Sequence, residues 1–142
     1  MNKICTDLEQ SMTQEDKELL FKDLSARLSY GVICQVDDGA AGLNDGKLVE
    51  INISKELVRF DADYCWDAYI DDIKPYLRPM SSMTKVEMLE YISLKEDIIA
   101  CDDITYSFET YESIDWLNKN HFDYRGLIEK GLAIEAPEGM YK

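Results

Sequence analysis

Hydrophobic positions recur first at helical and then at strand spacing. Between residues 13 and 31, Leu20, Leu24 and Leu28 repeat every fourth position with Phe21 beside them, while Glu15, Lys22 and Asp23 fall on the face expected to meet water. Thr13 precedes this run as an N-cap, Glu15 and Asp16 place carboxylates at the positive end of the helix dipole, and Gly31 follows the last periodic residue. The pattern predicts one helix packed along its leucines. From Val32 the period falls to two. GVICQVD and GKLVEINIS alternate as half-buried strands, and DDGAAGLNDG between them is rich in the Gly, Asp and Asn that a hairpin turn with positive φ demands. KELVRFD and the weaker DYCWDAYI extend this into an antiparallel meander.

IKPYLRPMSSMT then interrupts the alternation. Pro75 and Pro79 donate no backbone hydrogen bond and push Lys74 and Arg78 toward extended geometry, so a helix or central strand through 73–79 is disfavoured. Tyr76 and Leu77 are expected to pin this extended piece to the core. Thr84 and Glu87 next form a capping box, with Met83 and Met88 at the staple positions, and the helix they open carries Val86, Leu89 and Ile92 or Ser93 on one stripe. IIACDDITYSF reads as irregular or strand. Ser113 or Thr110 caps a helix through IDWLNKN, and Asp123 caps a last short one, YRGLIEKG, closed at Gly131 by Leu132 reaching back to Leu127.

These elements predict an α+β fold: an N-terminal helix, a small antiparallel meander or partly open SH3-like barrel, and C-terminal helices packed on it. Residues 1–80 form the helix and β unit and residues 81–142 the mainly helical region, the two packed as one unit. The two final helices superficially suggest a helix-turn-helix, but the second carries only Arg125 and Lys130 against Glu129, too few cations to dock on DNA phosphates.

Composition narrows the partners. The 142 residues, 46% of them apolar, suffice for a core without disulfide or metal support. With 29 acidic and 15 basic side chains the net charge is -14, which repels nucleic acid and anionic membrane surfaces and favours a basic protein partner. Cys5, Cys34, Cys65 and Cys101 lie far apart with no CxxC and no nearby histidine, which argues against structural zinc. Cys34 and Cys101 suit small buried hydrophobes. MNKICTDLEQ lacks the apolar core of a signal peptide, and no apolar run approaches the ~20 residues of a membrane helix, so the expectation is a cytoplasmic protein.

No catalytic template fits. Gly46-Lys47 falls short of a phosphate-binding loop because Ala41 stands at the first glycine position and Leu48 at the hydroxyl position. An EF-hand counted from Asp61 would need glycine where Trp66 stands and glutamate where Asp72 stands. His121, the single histidine, lies near a predicted helix C-terminus beside Asp123, where imidazolium is favoured and a capping or packing role outweighs catalysis. No nucleophile elbow accompanies it. No catalytic, cofactor-binding or metal-binding residue is assigned.

The phrases DLSARLSYGV, IDDIKPYLRPMSSMT and SIDWLNKNHFDYRGLIEKGLAIEAPEGMY resemble those of a recurrent family of small proteins from gut Bacteroidales and their phages or other mobile elements. The resemblance covers most of the chain, apart from 40–72 and 94–109. It implies a bacterial or phage cytosolic origin and assigns no activity. The expectation is therefore a non-catalytic acidic interaction module of a phage or mobile element, binding a basic protein that ordinarily holds nucleic acid or serves the host. Candidate interaction residues are Lys74, Tyr76 and Arg78, with Asp61, Asp63, Trp66 and Asp67. Two alternatives stand beside this. One is a metal-dependent enzyme built on Asp61, Asp63 and Asp67; the other is a small-barrel adaptor that binds peptide or nucleic acid beside Lys47, Lys55 or Arg59.

Overall fold

Thr13 opens the first helix as its sequence predicts, its hydroxyl accepting the Asp16 N–H at 3.1 Å. A computed structural model describes residues 12–37, 39, 42–61, 65–99 and 103–141, with the backbone alone for Cys65 and Trp66. Helix α1 (Gln14–Arg27) continues into a 3-10 turn (Leu28–Tyr30) that Gly31 ends at φ +71, a conformation that costs glycine little. Strands β1 (Ile33–Asp37), β2 (Leu43–Asn52), β3 (Leu57–Asp61) and β4 (Cys65–Tyr69) form the expected antiparallel meander, and β5 (Ile73–Leu77) follows. Helix α2 (Lys85–Leu94), a hairpin of β6 (Glu96–Ile99) and β7 (Thr105–Phe108), helix α3 (Tyr111–Lys119) and the short β8 (Ile134–Glu135) complete the chain.

The large sheet is open, in the order β4-β3-β2-β1-β5-β8, antiparallel except where β8 joins β5 in parallel. The expected α+β fold is present, with the meander rather than the partly open barrel as its β unit, and the sheet does not close. Alternate residues fill one face: Cys34, Val36, Leu48, Val58, Phe60, Ala68, Ile73 and Leu77 pack under Leu20, Phe21 and Leu24 of α1. A β-bulge between Leu48 and Glu50 shifts the register of β2 against β3. Strand β2 starts three residues earlier than the glycine-rich pattern suggests. Leu43, Asn44 and Asp45 find partners on β1, and Gly46 sits opposite Cys34 without needing positive φ.

Pro75 lies inside a strand flanked on both sides, contrary to the expectation for 73–79. Leu77 turns its carbonyl toward β8, where it accepts the Ala136 N–H at 2.8 Å. By two-residue alternation the Pro75 nitrogen faces that same side, ahead of the point where β8 begins at Ile134. The missing donor therefore costs no ladder bond, and Gln35 pairs with Lys74 on the other side.

The predicted helix at 124–131 is a single turn. Gly126 adopts φ +75, which breaks any helix entering from Tyr124, while Asp123 accepts the N–H groups of Leu127 and Ile128 at 2.8 and 2.9 Å. The expected closure survives on that one turn: Leu132 N–H donates to Leu127 O at 2.9 Å and Gly131 N–H to Ile128 O at 3.1 Å.

Asp23 does not meet water. It is fully buried, bonded through Oδ2 to Arg27 Nε (2.9 Å) and through Oδ1 to Arg27 Nη2 (3.1 Å) and Arg125 Nη1 (2.9 Å). Arg27 also donates to Phe122 O at 2.6 Å, which ties α1 to the segment after α3. Low exposure makes this pairing obligatory, since a lone charge here would be strongly unfavourable. A second, smaller apolar cluster of Tyr91, Trp116, Leu117 and Phe122 joins α2 to α3, with Met80 and Met83 packed on it.

Candidate functional site

Residues 73–78 form a joint. The Tyr76 ring is buried, its hydroxyl donating to Asp45 Oδ1 at 2.8 Å and accepting from Gln35 Nε2 at 3.2 Å; burial, then Asp45, raises its pKa. Arg78 makes a two-pronged pair with Glu87 at 2.8 and 2.7 Å and lies over the Phe122 ring at 4.1 Å. That guanidinium, more than any other group, holds the Glu87 carboxyl down to about 2. The main chain of Arg78 accepts from Asp123 N–H and donates to His121 O, at 2.8 and 2.7 Å. Only Lys74 of the three is exposed, so no shared basic and aromatic spot exists here.

Asp67 lines a second cleft together with Asp37 and Asp72. Asp67 Oδ1 accepts from Arg59 Nε at 2.9 Å, and Arg59 also reaches Glu50 at 3.4 Å. Asp61 lies at the exposed end of β3, opposite Cys65. Asp63 and the Trp66 side chain lie outside the described residues, as do Cys5 and Cys101. Cys34 is buried, as expected. Among the described residues no group of three or more His, Cys, Asp and Glu side chains is placed to hold a metal ion.

The uncovered apolar surface lies elsewhere, on the lobe formed by α2 and the β6–β7 hairpin. The capping box at Thr84 and Glu87 fixes the start of α2 as read from sequence, and the helix then packs inward through Tyr91 and Leu94. Its apolar stripe faces out: Val86 is 73% exposed, Leu89 63%, and Met88 and Ile92 about half. Every residue of β6 and β7 is exposed. Ile98 pairs with Tyr106 and Glu96 with Phe108, so Ile98, Tyr106 and Phe108 share one face of the hairpin, with no third strand among the described residues. Three contacts anchor the hairpin base: Tyr91 Oη to Glu109, Thr110 Oγ1 to Leu94 O at 2.6 Å, and Lys95 to Glu109 at 3.8 Å. Residues 84–119, which build this lobe and α3, carry the exposed carboxylates Glu90, Glu96, Asp97, Asp103, Glu109, Glu112 and Asp115, against the exposed cations Lys85 and Lys119.

His121 is the C′ residue of α3. Its N–H donates to Asn118 O at 3.1 Å and the next N–H, of Phe122, to Leu117 O at 2.9 Å, with His121 at φ +63 where glycine is usual. The ring stacks on Tyr141 with centroids 3.7 Å apart. A capping and packing role is thus present, but the expected imidazolium is not: burial first, then the charges of Arg27 and Arg78, lowers its pKa to about 4. Tyr141 in turn donates its hydroxyl to Tyr76 O at 2.7 Å and accepts the Ile33 N–H at 2.9 Å. Beside this stack is a cleft of about 380 Å³.

The geometry defines an α+β protein with an open sheet and a side lobe of uncovered apolar residues. No family model matches the chain, and no curated protein or solved structure is similar to it. No helix of the described residues is long and apolar enough to cross a membrane.

Proposed function

We propose that the chain is a non-catalytic interaction protein of a phage or other mobile element of gut Bacteroidales. It works in the cytoplasm, and its lobe of α2 and β6–β7 receives a basic, apolar segment of a partner protein. The observation that carries this is the outward apolar stripe of α2 together with the open face of the hairpin, in segments rich in exposed carboxylates. An apolar surface of this kind is costly to leave in water and marks sites of association. A two-stranded hairpin is marginal alone and gains stability from a covering element or an added strand. These carboxylates select a cationic partner and disfavour a second copy of a chain whose net charge is -14.

A synthetic amphipathic Lys/Leu peptide, with its Glu/Leu counterpart as control, tests this by fluorescence anisotropy at low and high salt. The Lys/Leu peptide is expected to bind and to weaken with salt. Replacing Leu89, Ile98 and Phe108 together by Ser leaves the charge unchanged and should weaken binding by more than about tenfold. Undiminished binding by this variant would reduce the interaction to bulk charge and defeat the proposal. Light scattering that shows a stable dimer dissolved by the same substitutions would instead assign the lobe to a second copy.

A further inference from the structure

We propose that the cleft between the turn at Gly31, strand β2 and the C-terminus of α3 binds a small molecule through an oxyanion, phosphate or carboxylate, held by Lys47 and Lys119. This inference does not rest on the partner reading. On a protein with net charge -14, the cleft is an exception: Lys47, Lys119 and Arg78 line it, together with Asn120, His121 and Tyr141, and among the described residues no carboxylate does. Arg78 is committed to Glu87, whereas neither lysine has an ion-pair partner among the described residues. The volume of about 380 Å³ suits a small ligand.

The two lysines reach the cleft from different elements. Lys47 lays its stem across Gly31, where an added Cβ would stand 3.1 Å from Cε and 3.8 Å from Nζ. Lys119 occupies the last turn of α3, just before its C-cap Asn120. Each lies at a helix end whose carbonyls attract cations. At the back of the cleft His121 is 6% exposed, and its Nδ1 has no hydrogen-bond partner. The field of Arg27 and Arg78 acts against protonation of the ring, with each guanidinium itself paired to a carboxylate, Asp23 and Glu87. An oxyanion between the lysines would offset that field, and Asn120 adds a neutral polar group to the same wall. Met140 and Tyr30 give the wall an apolar part for the rest of the ligand.

The chain has one histidine, so its imidazole resonance is a specific reporter. Titration of the full chain with inorganic pyrophosphate and, separately, citrate, followed by proton NMR at constant ionic strength, distinguishes the phosphate and carboxylate sources. A saturable shift of the His121 signal is expected with a Kd of roughly 1 mM or tighter, accompanied by a rise in the imidazole pKa. Lys47→Gln keeps the stem over Gly31 and removes the charge; it and Lys119→Gln should each weaken binding roughly fivefold or more, while Lys22→Ala, on α1, leaves it unchanged. No saturable shift with either anion, or shifts indifferent to both lysines, overturns the proposal and leaves the lysines as partners of the helix ends alone.

Discussion

Removing the Asp23 carboxylate should be the most damaging single polar change in the described structure. Asp23→Ala leaves Arg27 fully buried with one acceptor, Phe122 O at 2.6 Å, and strips Arg125 of its carboxylate. Arg27 Nη1 already lacks a partner, so the loss would cut the three hydrogen bonds of this guanidinium, two to Asp23 and one to Phe122 O, to the last alone. Breaking a buried pair in this way costs about 3–5 kcal/mol, against a total stability on the order of 5–15 kcal/mol. Urea denaturation followed by tryptophan fluorescence should show the midpoint falling by roughly 1–3 M at an unchanged slope. Arg125→Met should cost less, about 1–2 kcal/mol, because Asp23 keeps both bonds to Arg27 and the Arg125 side chain is partly exposed. An Asp23→Ala loss of about 1 kcal/mol or less, or a reversal of that ranking, would refute the reasoning that α1 is fastened by this charge cluster.

His121 makes stability fall in mild acid. Its pKa is about 4 when folded, against ~6.5 when unfolded, so both states are neutral above that value. Between pH 6.5 and about 4 the unfolded chain takes the proton first, removing about 2–3 kcal/mol, and His121→Asn, which tolerates positive φ, should flatten this part of a denaturation-against-pH curve. Glu87→Ala removes both the acceptor of the Thr84 N–H in the capping box of α2 and the partner of Arg78, and should cost about 1–3 kcal/mol in urea. Its wild-type contribution is present above the unfolded carboxyl pKa and disappears as the pH falls toward about 2. Tyr141→Phe takes away the acceptor of the Ile33 N–H and should lower the thermal midpoint by an amount equivalent to about 1–2 kcal/mol.

What the sequence made legible was local. Thr13 and the Thr84–Glu87 box act through groups three residues apart, and both appear as read. The strand alternation of β1 and β3 likewise needs only neighbours. Asp23 was legible only as a polar residue on a helix, because its second arginine, Arg125, lies 102 positions away. Pro75 shows the same limit: whether its missing donor matters depends on where β8 begins, more than fifty residues later. Gly126 was visible, but a glycine inside a helical pattern does not announce a φ of +75. The stripe of Val86, Leu89 and Ile92 was found by its period, yet periodicity identifies an apolar face without saying whether anything covers it. The cleft had no sequence signature, since Lys47 and Lys119 come from a strand and a helix end far apart in the chain.

Hydrogen exchange of the backbone amides, in the free protein and with the Lys/Leu peptide bound, tests the central proposal most directly. The free hairpin should exchange fast, with few contacts to retard opening, whereas the sheet under α1 should be slow. The account predicts that peptide binding slows exchange across the described residues of 96–108 and the exposed turns of α2, leaving β1 to β5 unchanged. Protection confined to the sheet, or absent from the hairpin at saturating peptide, would contradict it.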